Sequence, residues 1–191
     1  DLDVLIMPSG SYGDWLTDAR TEALQSWIQN GGHLIALGAA NSALSGRDGF
    51  DLAAPSADED SVSASPELNR YEDRAREAAT RGTPGSVHAT TLDTSHPLAF
   101  GIEQYFTLKR SARAFAYLDG GWTVAALEEA APLTGFMGHE AQQELDDTLV
   151  FGVQSHGQGR ITYLVDNPLT RGFWHNGQLL MSNAVFFIGN E

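Results

Sequence analysis

A helix stop, a short apolar run and a second turn follow one another in Gly31-Gly32-His33-Leu34-Ile35-Ala36-Leu37-Gly38-Ala39-Ala40-Asn41-Ser42. A strand that turns sharply into a helix exposes one side chain beside backbone N–H groups, which is what acyl transfer by a nucleophile requires. The residues at this turn are Gly38, Ala39 and Ala40, and none carries a nucleophilic atom. Ser42 does, but on a helix entering at Ala40 it points roughly 200° away from the turn. The plainer reading is that small residues let the helix pack close to the sheet. A second turn, Pro8-Ser9-Gly10-Ser11-Tyr12-Gly13, follows the apolar run Val4 to Met7 and could offer backbone N–H groups to an anion. It lacks the lysine of a phosphate loop and the glycine spacing of a dinucleotide loop, so a simple strand-to-helix connection fits it better.

The six histidines, His33, His88, His96, His139, His156 and His175, include no pair at helical ligand spacing. His139-Glu140 begins like a zinc-peptidase helix, but Gln143 stands where the second histidine is needed. Asp93-Thr94-Ser95-His96 before Pro97 could hold a cation at a turn, and more readily forms side-chain caps of the turn backbone. No metal site is expected. Arg171-Gly172-Phe173-Trp174-His175 concentrates aromatic and basic character in an acidic chain. It reads as a contact surface for another domain, a peptide or a glycan, or as a loop whose aromatics plug the end of a sheet.

These residues need a scaffold. Val4 to Met7 and His33 to Leu37 are continuous apolar runs, the pattern of strands covered on both faces in a parallel sheet. Between them Leu16, Ala19, Ala23, Leu24, Trp27 and Ile28 recur at helical spacing, with Gly31-Gly32 as the stop, so a right-handed crossover is expected. Residues 45–65, rich in Gly, Asp, Ser, Ala and Pro, read as an irregular and poorly packed surface insertion. Ser65-Pro66-Glu67 starts a surface helix to residue 80, and Thr83-Pro84-Gly85 is a turn. Strands are predicted at Val87 to Leu92, Ala114 to Leu118, Trp122 to Leu127, Leu149 to Gln154 and Arg160 to Asp166. Asp119-Gly120-Gly121 and His156-Gly157-Gln158-Gly159 would close two hairpins. A closing helix spans Gln178 to Ile188.

At 191 residues the chain suits one domain, and no apolar run approaches the roughly 20 residues that cross a bilayer. Its net charge is −14, from 25 acids against ten arginines and a single Lys109. Such a surface repels a phosphate backbone, so nucleic acid and anionic membrane are poor partners. With no cysteine, disulfides, thiolate metal sites and cysteine nucleophiles are excluded. There is no initiator Met and no leader-like segment, and a piece of a longer protein is expected.

The segment Asp3-Val4-Leu5-Ile6-Met7-Pro8-Ser9-Gly10 with Gly31-Gly32 through Ser42 resembles the class I glutamine amidotransferase-like fold. Further segments resemble the accessory domain found behind the catalytic domain of some bacterial zinc carboxypeptidases. They are the stretch from Pro84-Gly85 through Leu92-Asp93-Thr94-Ser95-His96-Pro97-Leu98-Ala99-Phe100-Gly101, and Gly159-Arg160-Ile161, Asp166-Asn167-Pro168, Arg171-Gly172-Phe173-Trp174 and Asn183-Ala184-Val185-Phe186-Phe187. The resemblance implies a three-layer α/β domain with a mainly parallel, flavodoxin-like sheet whose first strand-helix unit lies outside this chain. It puts Ala40 in the position of the cysteine nucleophile and Asn167 in that of the histidine base. A neutral amide has no proton-transfer pKa near 7, so both cooperating groups are lost. Ser9, Gly10, Ala40, Asn41 and Asn167 would then be a vestigial site. The implied function is non-catalytic: interdomain packing, oligomerisation or ligand binding beside a peptidase domain that holds the zinc, in an exported protein. Two alternatives are a hydrolase rewired through Ser9, Asn41, Ser42 and Asn167, and a carbohydrate-binding or assembly module.

Overall fold

The structure, a computed structural model, describes residues 2–55, 71–172 and 174–188. Strand β1 (Val4–Met7), helix α1 (Asp18–Gln29) and strand β2 (His33–Leu37) follow in the expected order with the two strands parallel, and helix α2 (Ala40–Leu44) leaves the second turn. Then come α3 (Arg74–Thr80), β3 (Gly85–Ala89), β4 (Thr91–Leu92), β5 (Phe106–Lys109), β6 (Trp122–Leu127), β7 (Thr134–Phe136), α4 (His139–Gln143), β8 (Thr148–His156), β9 (Gly159–Leu164) and α5 (His175–Phe186).

Six strands form the main sheet in the order β1-β2-β9-β8-β6-β4. The pairs β1–β2 and β2–β9 are parallel, whereas β9–β8, β8–β6 and β6–β4 are antiparallel. The expected parallel character therefore holds at one end. Alternation of side chains along β2 and β9 sends Leu34, Ala36, Ile161 and Tyr163 to a core with Leu24 and Ile28 of α1. Ile35, Leu37 and Leu164 go to a second core with Leu180 and Ala184 of α5. Among the described residues no helix is long and apolar enough to cross a membrane.

Several expectations need correction. β1 was expected to be covered on both faces, yet it is an edge strand: Val4 and Leu5 are half-buried and Ile6 is 42% exposed, because among the described residues only β2 adjoins it. The single strand Val87 to Leu92 is two strands in different sheets. They part at Thr90, whose N–H and hydroxyl both donate to the Tyr105 carbonyl, at 3.2 and 3.0 Å. Ala114 to Leu118 forms no strand. Its groups are taken singly, the Ala116 N–H by the Ala53 carbonyl and the Phe115 carbonyl by the Leu149 N–H. The hairpin expected across Asp119-Gly120-Gly121 is consequently absent, and β6 pairs with β8 instead. In the insertion, residues 56–65 lie outside the described residues. Within 45–55, however, Phe50 and Leu52 are buried in the core, so this part is well packed. The helix to residue 80 is described only as α3, which buries no side chain.

A second sheet of three antiparallel strands, β5-β3-β7, lies apart from the main one. Neither β5, β7 nor α4 was predicted.

Candidate functional site

The turn after β2 is built as its residue types require. Gly38 has φ 55°, a left-handed conformation that glycine adopts without steric cost. A Cβ there would lie 2.6 Å from Ser9 Oγ. Its N–H donates to the Leu164 carbonyl at 2.8 Å, tying the turn to the end of β9. The Asn41 amide donates to the same Leu164 carbonyl at 2.8 Å and to the Gly38 carbonyl at 3.1 Å, and the side chain is fully buried. The structure thus brings Ser9, Ala40, Asn41 and the carboxyl end of β9 to one edge of the parallel strands, where sites of open α/β sheets form.

The chemistry available there is small. Ala40 is 0% exposed and has no reactive atom. Ser9 Oγ accepts from the Ala39 N–H at 3.1 Å, so the hydroxyl occupies a donor that an oxyanion would otherwise use. The Gly10 turn closes on itself through the Tyr12 hydroxyl, which donates to the Pro8 carbonyl at 2.9 Å. Ser42 is exposed and accepts from Arg113 Nε at 3.1 Å. Asn167 spends its side chain on its own turn, accepting from the Leu169 N–H at 3.0 Å.

What the residue pattern did not reveal is a buried polar cluster next to this edge. In the β3–β5 register Ser86 faces Lys109 and His88 faces Thr107, and all four side chains are buried. One face of the small sheet is therefore polar and turned inward. Lys109 Nζ lies 3.0 Å from Asp166 Oδ2, with side-chain exposures of 0% and 10%. The Thr107 hydroxyl donates to the same carboxylate at 2.8 Å, and His88 Nε2 bonds Ser86 Oγ at 2.8 Å. Burial first, then the Lys109 ammonium, holds the His88 pKa below the usual histidine value. Lys109 Nζ also donates to the Arg113 carbonyl at 3.4 Å, so Arg113 joins the cluster to Ser42. No signal in the sequence singled out this pair, because a lone lysine reads as surface charge and any of 25 acids could have been its partner.

A second buried histidine, His33 on β2, bonds Thr162 Oγ1 through Nε2 at 2.9 Å. Burial, helped by nearby Arg160, lowers its pKa to about 4. The Asp93 turn is a self-capped one: Asp93 Oδ1 accepts from the Ser95 N–H at 2.9 Å, and His96 Nδ1 from the Leu98 N–H at 3.1 Å. Among the described residues no group of three or more His, Asp or Glu is placed to hold a metal ion.

Of the Arg171 to His175 segment, Trp174 docks within the molecule. Trp174 Nε1 donates to the Phe106 carbonyl at 3.0 Å, and Asn176 Nδ2 to the Gln104 carbonyl at 3.0 Å. Arg171 and His175 remain exposed, and Phe173 lies outside the described residues.

No family model matches the chain, and no curated protein matches it. Solved structures do. A ThuA-like protein from Bacteroides uniformis aligns over 96% of this chain and 67% of its own, at 12% identity and a TM-score of 0.50. A cytoplasmic protein from Salmonella typhimurium aligns over 99% of this chain and 72% of its own, at 12% identity and a TM-score of 0.55. At such identity the likeness concerns architecture, and that architecture is the class I glutamine amidotransferase-like fold.

Proposed function

We propose that this chain is a non-catalytic accessory domain of a larger protein, serving in interdomain packing or assembly rather than in turnover. The observation that carries the reading is the filled turn: Ala40 is fully buried where a nucleophile would stand, and Asn41 is locked onto backbone carbonyls. The base is missing as well, since Asn167 cannot relay a proton and faces its own turn. Apolar surface supports a packing role. Leu2 and Ile6 are 57% and 42% exposed at the open sheet edge, and Phe100 meets Phe187 edge-to-face at 5.3 Å on the α5 side, with Phe186 68% exposed beside them in sequence.

In this reading the domain completes a three-layer sandwich with a further strand-helix unit beside β1, outside this chain. The parent is a zinc carboxypeptidase-like, exported protein, as the segment resemblance implies, and the zinc belongs to its peptidase domain. Two measurements test the proposal. Glutaminase and esterase turnover should stay at the buffer rate; activity that vanishes in Ser9→Ala, Ser42→Ala or Asn167→Ala means a rewired hydrolase. Co-expression with the remainder of the parent should yield a complex that Ile6→Asp or Phe186→Asp weakens, and a parent that never associates with the chain would end the packing role.

A further inference from the structure

β5 has two faces. The inward one carries Thr107 and Lys109 into the buried cluster, and the outward one presents Phe106 and Leu108, with Arg110 just beyond the strand. Over this outward face lie two cavities. One, of about 220 Å³, is lined by Pro84, Gly85, Leu108, Arg110, Thr170 and Arg171. The other, of about 290 Å³, is lined by Phe106, Trp174, His175 and Asn176.

We propose that this face of β5 binds a small organic anion, a carboxylate or a phosphate ester, with its charged group at Arg110 and Arg171 and its apolar part over Leu108 and Phe106. The first argument is charge. In a chain of net charge −14, two of only eleven basic residues line one cavity, and among the described residues no acid lines it with them. Among the described residues neither guanidinium has an ion-pair or hydrogen-bond partner, while Arg81 pairs with Glu140 and Lys109 with Asp166. Two like charges left facing one space favour an anion between them, and planar guanidinium groups match carboxylate and phosphate oxygens in pairs.

The second argument is shape. Residues on one face of a strand are about 7 Å apart at every second position, so Phe106, Leu108 and Arg110 span about 14 Å. That length suits an anionic head and one ring or short chain. A Cβ built on Gly85 meets nothing within 4 Å, so the wall beside Arg110 is bare backbone with open space in front of it. Arg171 has φ 52°, a left-handed conformation unfavourable for a residue with a side chain, and so holds its guanidinium at the cavity against the local preference of the backbone. The site is independent of the accessory role proposed above, because it uses neither the filled turn nor the exposed edge.

The test is calorimetric titration of the intact chain, at low and high salt, with phenyl phosphate, phenylacetate, inorganic phosphate and benzyl alcohol. Both ring-bearing anions should bind, inorganic phosphate more weakly, and the neutral alcohol not at all. The ratio of phenyl phosphate to phenylacetate affinity assigns the preferred head group. Arg110→Glu should weaken binding at least tenfold. Arg171→Gly should do the same while leaving thermal stability equal or higher, since glycine accepts that backbone conformation freely. High salt should weaken binding in parallel. Absence of binding by either ring-bearing anion, or binding that persists in both variants, overturns the proposal.

Discussion

Replacing Lys109 by Met is the most direct test of the buried cluster. Lys109 has no exposed side-chain surface, and its ammonium lies 3.0 Å from an Asp166 carboxylate that is 10% exposed. Methionine keeps the stem and the volume, so the loss is chiefly that of the charge. Asp166 is then left nearly buried with the Thr107 hydroxyl as its remaining donor. Removing one partner of a buried pair costs about 3–5 kcal/mol, because the other charge stays desolvated without compensation. For a domain of this size that corresponds to a fall in melting temperature of roughly 6–20 °C. Asp166→Asn should cost a similar amount, stranding the ammonium. The double variant should recover at least about 2 kcal/mol relative to the sum of the two, since neither charge then remains. Urea unfolding of the four proteins gives each value, with equal slopes showing that compactness is unchanged. A single-variant loss below about 1 kcal/mol, or simple additivity, would refute the reasoning and make the pair a solvated one.

His33 gives a pH signature. Its pKa is lowered to about 4 from 6.5 by burial, so its contribution is fully present above pH 6.5 and is lost as pH falls through 4, amounting to about 3 kcal/mol. The stability difference between pH 7 and pH 4.5 should shrink in His33→Gln, and an unchanged difference would mean that the ring is hydrated. Gly177→Ala should destabilise by more than about 3 kcal/mol in thermal melts, because a Cβ there lies 1.9 Å from the Pro168 carbonyl oxygen; a variant that melts within a degree or two of the parent contradicts that packing. Ala40→Cys should give a thiol that reacts with Ellman's reagent only on unfolding, and no glutaminase, since the site is 0% exposed and lacks a base. Rapid native-state labelling would show that the turn is open.

Local signals carried the crossover. Val4 to Met7, the spaced apolar residues of α1, Gly31-Gly32 and the run from His33 to Leu37 each constrain their own backbone, and the structure has β1, α1 and β2 there in parallel pairing. The turn residues were legible for the same reason: what Ala40 and Asn167 cannot do is a property of their side chains. Burial of β1 was overestimated, because an apolar run states a preference for cover and not whether a neighbour supplies it. The split at Thr90 is set by the Tyr105 carbonyl, 15 residues away, and the fate of Ala114 to Leu118 by Ala53 and Leu149. Most of all, Phe106-Thr107-Leu108-Lys109 alternates as any half-exposed strand does, and a lone lysine reads as surface charge. Only the folded chain brings Asp166 within 3.0 Å of it. A charge enters the interior when a distant group compensates its desolvation, and the partner's position is a property of the tertiary structure, not of the local sequence.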